Sequence, residues 1–157
     1  MAARSIAEDI KQTRPFRSRS QEASMALLRT ANVLRRRLDA LVASEGITSQ
    51  QYNVLRILRG AKAPLPTMEI AERMIEQTPG ITRHVNNLEE RGLIRREPWA
   101  GDRRQVLCQI TPNGLRLLER LDEPMDALDD ALAAQLTSEQ IDHLIEALDL
   151  LRSTPES

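Results

Sequence analysis

Residues 78–111, TPGITRHVNNLEERGLIRREPWAGDRRQVLCQIT, constrain this chain most, because they read as a short helix running straight into a hairpin tipped with arginine. Thr78 is placed to cap the helix with its hydroxyl, Pro79 suits the first helical position, where no N–H is needed, and Gly92 suits the stop. Ile81, Val85 and Leu88 recur at i, i+4 and i+7, so that stripe is expected inward. The opposite stripe then carries Pro79, Thr82, Arg83, Asn86 and Glu90. These side chains have the chemistry of base edges in a major groove: arginine donates twice to guanine, asparagine pairs with adenine, and a threonine methyl touches thymine. The unpaired N–H groups at the helix start suit a phosphate. An ordinary amphipathic surface helix has the same pattern, so the helix alone does not decide the matter.

The hairpin adds the second half of the argument. Leu93 to Glu97 is predicted to form one short strand, and Gln105 to Ile110 a second, with Val106, Cys108 and Ile110 on one face. Pro98 to Arg104 reads as the turn between them, ending in two cations. An arginine at such a tip fits a narrow A·T-rich minor groove, where the negative potential is strongest. A groove-reading helix beside a minor-groove tip has the form of a winged helix-turn-helix.

The run Thr67-Met68-Glu69-Ile70-Ala71-Glu72-Arg73-Met74, then Pro79-Gly80-Ile81-Thr82-Arg83, Leu88-Glu89-Glu90-Arg91-Gly92-Leu93-Ile94, Gly101-Asp102-Arg103-Arg104 and Ile110-Thr111-Pro112-Asn113-Gly114 resembles the MarR family of bacterial transcription regulators. The similarity spans roughly Leu27 to Leu132. Its strongest piece is the wing, where the family's Asp-x-Arg motif falls on Asp102 and Arg104. The resemblance implies that Arg104 enters the minor groove, that Asp102 holds the wing by ion pairing, and that the helix from Thr78 reads bases. Alternation along the strand leaves the choice between Arg103 and Arg104 open. The expected DNA-contacting set is Thr78, Pro79, Gly80, Thr82, Arg83, Asn86, Asn87, Arg103 and Arg104, with Asp102 as wing support.

The rest of the chain reads as helical, giving a mainly α fold with a small β-hairpin wing. A long amphipathic helix is expected between Ser18 and Ser44, with Leu27, Leu28, Ala31, Leu34, Leu38, Leu41 and Val42 at helical spacing. Thr48-Ser49-Gln50-Gln51 matches a capping box and opens a helix running to Gly60. Ala61 to Pro66 reads as loop, and Thr67 as the cap of a third helix. Thr111 and Pro112 repeat the cap-plus-proline start. Leu118, Leu121, Met125, Leu128 and Leu132 follow at coiled-coil spacing, although Pro124 is expected to bend or break that helix. Thr137-Ser138-Glu139-Gln140 is another capping box, opening a helix with Ile141, Leu144, Ile145, Leu148 and Leu151 inward. The division expected is 1–45 and 112–157 as helical dimerisation segments around a DNA-binding region at 46–111.

A chain of 157 residues suits one domain, or one with an extension. Its net charge of −1 is awkward for a ligand of DNA until its distribution is considered. Residues 1–40 carry nine basic and four acidic groups, whereas 112–157 carry three basic and eleven acidic. Such sorting would orient the molecule on a polyanion, and it equally serves solubility. The opening MAARSIAEDIKQTRPF is interrupted by charge and matches no signal segment, so a cytoplasmic protein is expected.

Catalysis is not expected: His84 and His143 are the only histidines, Cys108 is the single cysteine, and no phosphate loop or metal-ligand spacing is present. No cofactor or metal is called for. His84 reads as half-buried or else a DNA contact, His143 as surface, and Cys108 as an inert buried thiol, with oxidant sensing the alternative that the resemblance leaves open. Trp99 in the wing turn suits either a DNA sugar edge or a partly covered hairpin side chain. The surplus of apolar surface on the terminal helices points to a homodimer, with packing inside one chain as the alternative, and two-fold symmetry to a pseudo-palindromic operator. The resemblance further implies a repressor released by a small aromatic or lipophilic effector. Tyr52 and Arg56, one turn apart, suit a ring and a carboxylate, or else plain packing and a surface cation. The alternative class is a winged-helix module that binds protein and not DNA.

Overall fold

The computed structural model describes residues 4–77 and 79–153, apart from the Arg103 side chain. In chain order the elements are α1 (Ile6–Asp9), α2 (Arg19–Ala43), α3 (Ser49–Ala61), β1 (Leu65–Pro66), α4 (Thr67–Glu72), α5 (Ile81–Glu90), β2 (Ile94–Trp99), β3 (Asp102–Ile110), α6 (Pro112–Ala133) and α7 (Ser138–Arg152). None of these helices is long and apolar enough to cross a membrane. Mostly helix with one small antiparallel sheet is the architecture the sequence predicts.

The helix starts that obey local rules fall where expected. Ser18, Thr48, Thr111 and Thr137 each accept a main-chain N–H from the first turn, and Thr48 and Thr137 complete reciprocal boxes with Gln51 and Gln140. The end of α5 is a Schellman turn: Gly92 sits at φ 68°, with Leu93 N–H donating to Leu88 and Gly92 N–H to Glu89.

Five expectations are corrected. The reading helix begins at Ile81, with Gly80 as its N-cap at φ 116° and no side-chain cap. Pro79 therefore lies before the helix, and Thr78 lies outside the described residues. Only glycine adopts that left-handed geometry without strain, so Gly80 ends the preceding link and sets the helix start. Pro66, not Thr67, occupies the N-cap of α4, and the Thr67 hydroxyl instead lies 3.6 Å from Cys108 Sγ. The segment expected as loop contains β1, which pairs Leu65 with Cys108 and Pro66 with Leu107 to give the sheet order β1-β3-β2. Proline is tolerated there because the strand is an edge. The wing strands run further than alternation suggested, to Trp99 and Asp102, leaving only Ala100 and Gly101 in the turn. Finally, α6 is not broken at Pro124, because buried Leu117, Leu118 and Leu121 before it and half-buried Met125 after it fasten both halves to one core.

That core gathers Val54, Leu55 and Leu58 of α3, Ile70 of α4, Val85 and Leu88 of α5, Ile94 of β2, Cys108 of β3 and Leu118 and Leu121 of α6. Gly114 lets α6 close on the sheet: a Cβ there would stand 2.3 Å from Leu93 O and 2.7 Å from Ile110 Cγ1. Ionic contacts fix the helices further. Arg59 of α3 makes a two-pronged pair with Asp122 of α6, both contacts at 2.9 Å. The corner between α2 and α3 is held from two directions. Arg91, at the end of α5, donates to Gly46 O and Glu45 O at 2.6 and 3.1 Å, and Arg120 of α6 clasps the Glu45 carboxylate at 2.7 Å. Arg120 also holds that carboxyl below the usual range.

The terminal helices differ. In α7 no residue is buried, and Leu144, Ile145 and Leu151 are 45%, 52% and 60% exposed. In α2 only Val42 is buried, while Leu27 and Leu28 are exposed.

Candidate nucleic-acid interface

Ile81, Val85 and Leu88 face inward, which turns Thr82, Arg83, Asn86, Asn87 and Glu90 to solvent. Together with Gly80 they border an open concavity of about 580 Å³. Pro79 lies to one side, on a shallow crevice with Ala71, Glu72 and Gln77.

The wing stands beside this face. A crevice of about 350 Å³ has Thr82 and Val85 of α5 on one wall and Arg96, Arg104, Gln105 and Val106 of the hairpin on another, with Pro66, Thr67 and Met68 at its end. Arg104 is exposed, and its main-chain N–H donates to Asp102 Oδ1 at 2.9 Å. Among the described residues, Asp102 thus braces the turn through the backbone and not through an ion pair. Trp99 folds over Gly101, where a Cβ would meet the indole at 3.1 Å, so its ring belongs to the turn. Val106, expected on the apolar face with Cys108, is exposed because the hairpin projects past the core at that point.

What joins helix and wing is a residue the sequence reading did not select. Arg96 pairs with Cys108 across the ladder and so shares its inward face. From there its guanidinium reaches α5, donating from Nε to Glu89 Oε2 and from Nη1 to Asn86 Oδ1, both at 2.7 Å. The Arg96 main-chain N–H adds a bond to Glu89 Oε1 at 3.2 Å. Glu89 raises the Arg96 pKa, and Arg96 lowers that of Glu89. The signal lay in the pair Arg95-Arg96: alternation must send one of them inward, where it needs an acid. On the other side of α5, Asn87 Oδ1 accepts from Nε2 of buried Gln51 at 2.7 Å.

The Cys108 thiol is fully buried, and burial pushes its pKa up. His84 is half-buried and His143 exposed. Tyr52 and Arg56 do border one small cavity, about 70 Å³, with Leu38, Asn53 and Met74 among its walls. Arg56 Nη2 donates to Asn53 Oδ1 at 3.0 Å, and burial raises the Tyr52 phenol. Next to it, α2 and α6 enclose a larger cavity of about 420 Å³ lined by Ala31, Leu34, Arg35, Leu38, Ile75, Met125 and Leu128. Glu76, in the link before α5, closes its rim through Arg35 Nε at 2.8 Å and Gln50 Nε2 at 3.2 Å.

Comparison with known proteins gives the same architecture. Residues 45–105 match the model of the MarR family. The crystal structure of a MarR transcription factor from Planctomyces limnophilus shares 32% identity, with 87% of this chain and 99% of that one aligned and a TM-score of 0.66. The homoprotocatechuate degradative operon repressor of Escherichia coli is 27% identical over 129 residues, 78% of this chain and 84% of the repressor. The structure of NadR in complex with 4-hydroxyphenylacetate aligns at 25% identity, over 90% of this chain and all of that one, with a TM-score of 0.71. With a helix and wing set side by side and a full-length relative at this similarity, the chain belongs to the MarR family of winged helix-turn-helix transcriptional regulators.

Proposed function

We propose that the protein is a homodimeric repressor that lays α5 in the major groove of double-stranded DNA and the wing tip in the adjoining minor groove. The observation that carries this is the shared crevice: Thr82 on the helix wall and Arg104 on the hairpin wall flank one gap, so a duplex backbone ridge seated there brings each into its own groove. Thr82, Arg83, Asn86 and Asn87 are the base-facing candidates, Gly80 offers a free N–H at the helix start, and Arg103 and Arg104 supply the wing cations. Residues 46–111 form the reading head. The segments 1–45 and 112–157 pair two copies, as the exposed apolar side chains of α2 and α7 favour, and set half-sites roughly 34–36 Å apart.

Repression accords with the named role of the E. coli relative, and a small aromatic acid with the ligand seen in NadR. In this chain the cavity between α2 and α6 is largely apolar, and Arg35 at its rim would bind a ligand carboxylate by exchanging its present partner Glu76.

Selection of bound duplexes from a random pool by the full-length protein tests the reading. A pseudo-palindrome is expected, with log affinity falling against log salt by about 0.9 per phosphate neutralised. Arg83→Ala should cost about 1–3 kcal/mol at one base position; an equal loss on every sequence would make Arg83 a phosphate contact. Failure to select any duplex favours a protein-binding module. Addition of 4-hydroxyphenylacetate to the complex tests release.

A further inference from the structure

The carbonyl oxygens of Asn86 and Asn87 are both engaged inside the protein, and hydrogen-bond logic fixes the direction of each amide. A guanidinium only donates, so the Asn86 atom facing Arg96 Nη1 at 2.7 Å is oxygen. For Asn87 the chain of reasoning is one step longer. The Thr48 main-chain N–H donates to Gln51 Oε1 at 3.0 Å, which turns Gln51 Nε2 toward Asn87 at 2.7 Å and makes the atom it meets there the Asn87 oxygen. Both side chains are exposed and border the concavity of α5; each has its N–H groups turned to a ligand, while its oxygen, already holding one donor, keeps a single lone pair, which on Asn86 lies against a guanidinium.

Resting on the DNA-binding reading above, we infer that Asn86, beside Arg83 in the middle of the α5 face, reads by donating its amide N–H, with Arg96 as the positioning residue that sets its direction. The asparagine–adenine pair needs the amide to accept from adenine N6 while donating to N7. Here the oxygen already accepts from a guanidinium, whose positive charge opposes an adenine amine approaching the remaining lone pair. Guanine, with N7 and O6 side by side as acceptors, is the base edge that fits. The Glu89 carboxylate keeps Arg96 in place from the other side, through Nε at 2.7 Å.

Selections with the wild type, Asn86→Ala, Arg96→Met and Arg96→Lys, each first checked for helical circular dichroism, test the inference. Asn86→Ala identifies the position it contacts, which should favour guanine over adenine by about tenfold in the wild type. Arg96→Met frees the oxygen and is expected to erase or reverse that preference at this one position, while Arg96→Lys, still able to donate to Asn86, retains it. If Arg96→Met does not fold, the wild type on a duplex carrying 7-deazaguanine at that position decides, with about tenfold weaker binding expected. Adenine at that position in the wild type, an Asn86→Ala loss spread over all sequences, an Arg96→Met variant with unchanged preference, or no loss with 7-deazaguanine overturns the inference. A wild type that selects no duplex sinks the DNA-binding reading itself, and this inference with it.

Discussion

The reading head and the terminal helices are both amphipathic, but they satisfy their apolar faces differently. In the head, Val85 and Leu88 of α5 are fully buried against α3 and the sheet, and the outward residues are tied down by Gln51 and Arg96. In α7, side chains at the same kind of spacing remain about half exposed. A helix of given amphipathicity therefore does not announce whether its core belongs to its own chain or to a second one. The head is folded by its own contacts, and the terminal helices leave apolar side chains exposed, the surface that the proposed pairing of two copies would cover.

The sharpest break of that contrast is Leu88→Ala, which should cost the head about 2–5 kcal/mol in denaturant unfolding. Next comes Gly114→Ala. In an ordinary helix this exchange is stabilising, but the 2.3 Å approach to Leu93 O reverses the sign, and a loss of about 1–3 kcal/mol is expected. A third substitution, Ile145→Glu, should leave the stability of the head within about 0.5 kcal/mol while shifting the protein from dimer to monomer in sedimentation. If instead it unfolds the head, the two regions are not separable. The smallest effect concerns pH. Arg96 lowers the pKa of Glu89 below its ordinary 4.5, so this pair stabilises the fold above that value and its contribution fades as pH falls through the folded value. Glu89→Gln should flatten stability slightly in that acid window, read from urea midpoints.

What was legible from sequence was local. Thr48 with Gln51, Thr137 with Gln140, and Gly92 after Leu88 act within one turn, so spacing alone finds them. The features that escaped depend on distant partners. A two-residue strand at Leu65–Pro66 exists only because β3 passes alongside. Thr67 lost its capping role to a contact with Cys108, forty-one positions away. Arg96 matters through Glu89 and Asn86, seven and ten positions back on a different element. Gly80 was visible as a residue, but its left-handed backbone moved the helix start past Thr78 and Pro79, which a capping rule had favoured. The solvent-facing stripe of α5 was found from periodicity; the direction of its amides needed coordinates.

The corner at Glu45 and Gly46, fastened by Arg91 from α5 and by Arg120 from α6, has a mechanical consequence. A joint fastened on both sides links α6 to α5 through one short segment, so loosening it by Arg91→Ala or Arg120→Ala should free both helices together. In the paired arrangement proposed above, this corner is the route by which a twist of α6 would reach the proposed reading helix.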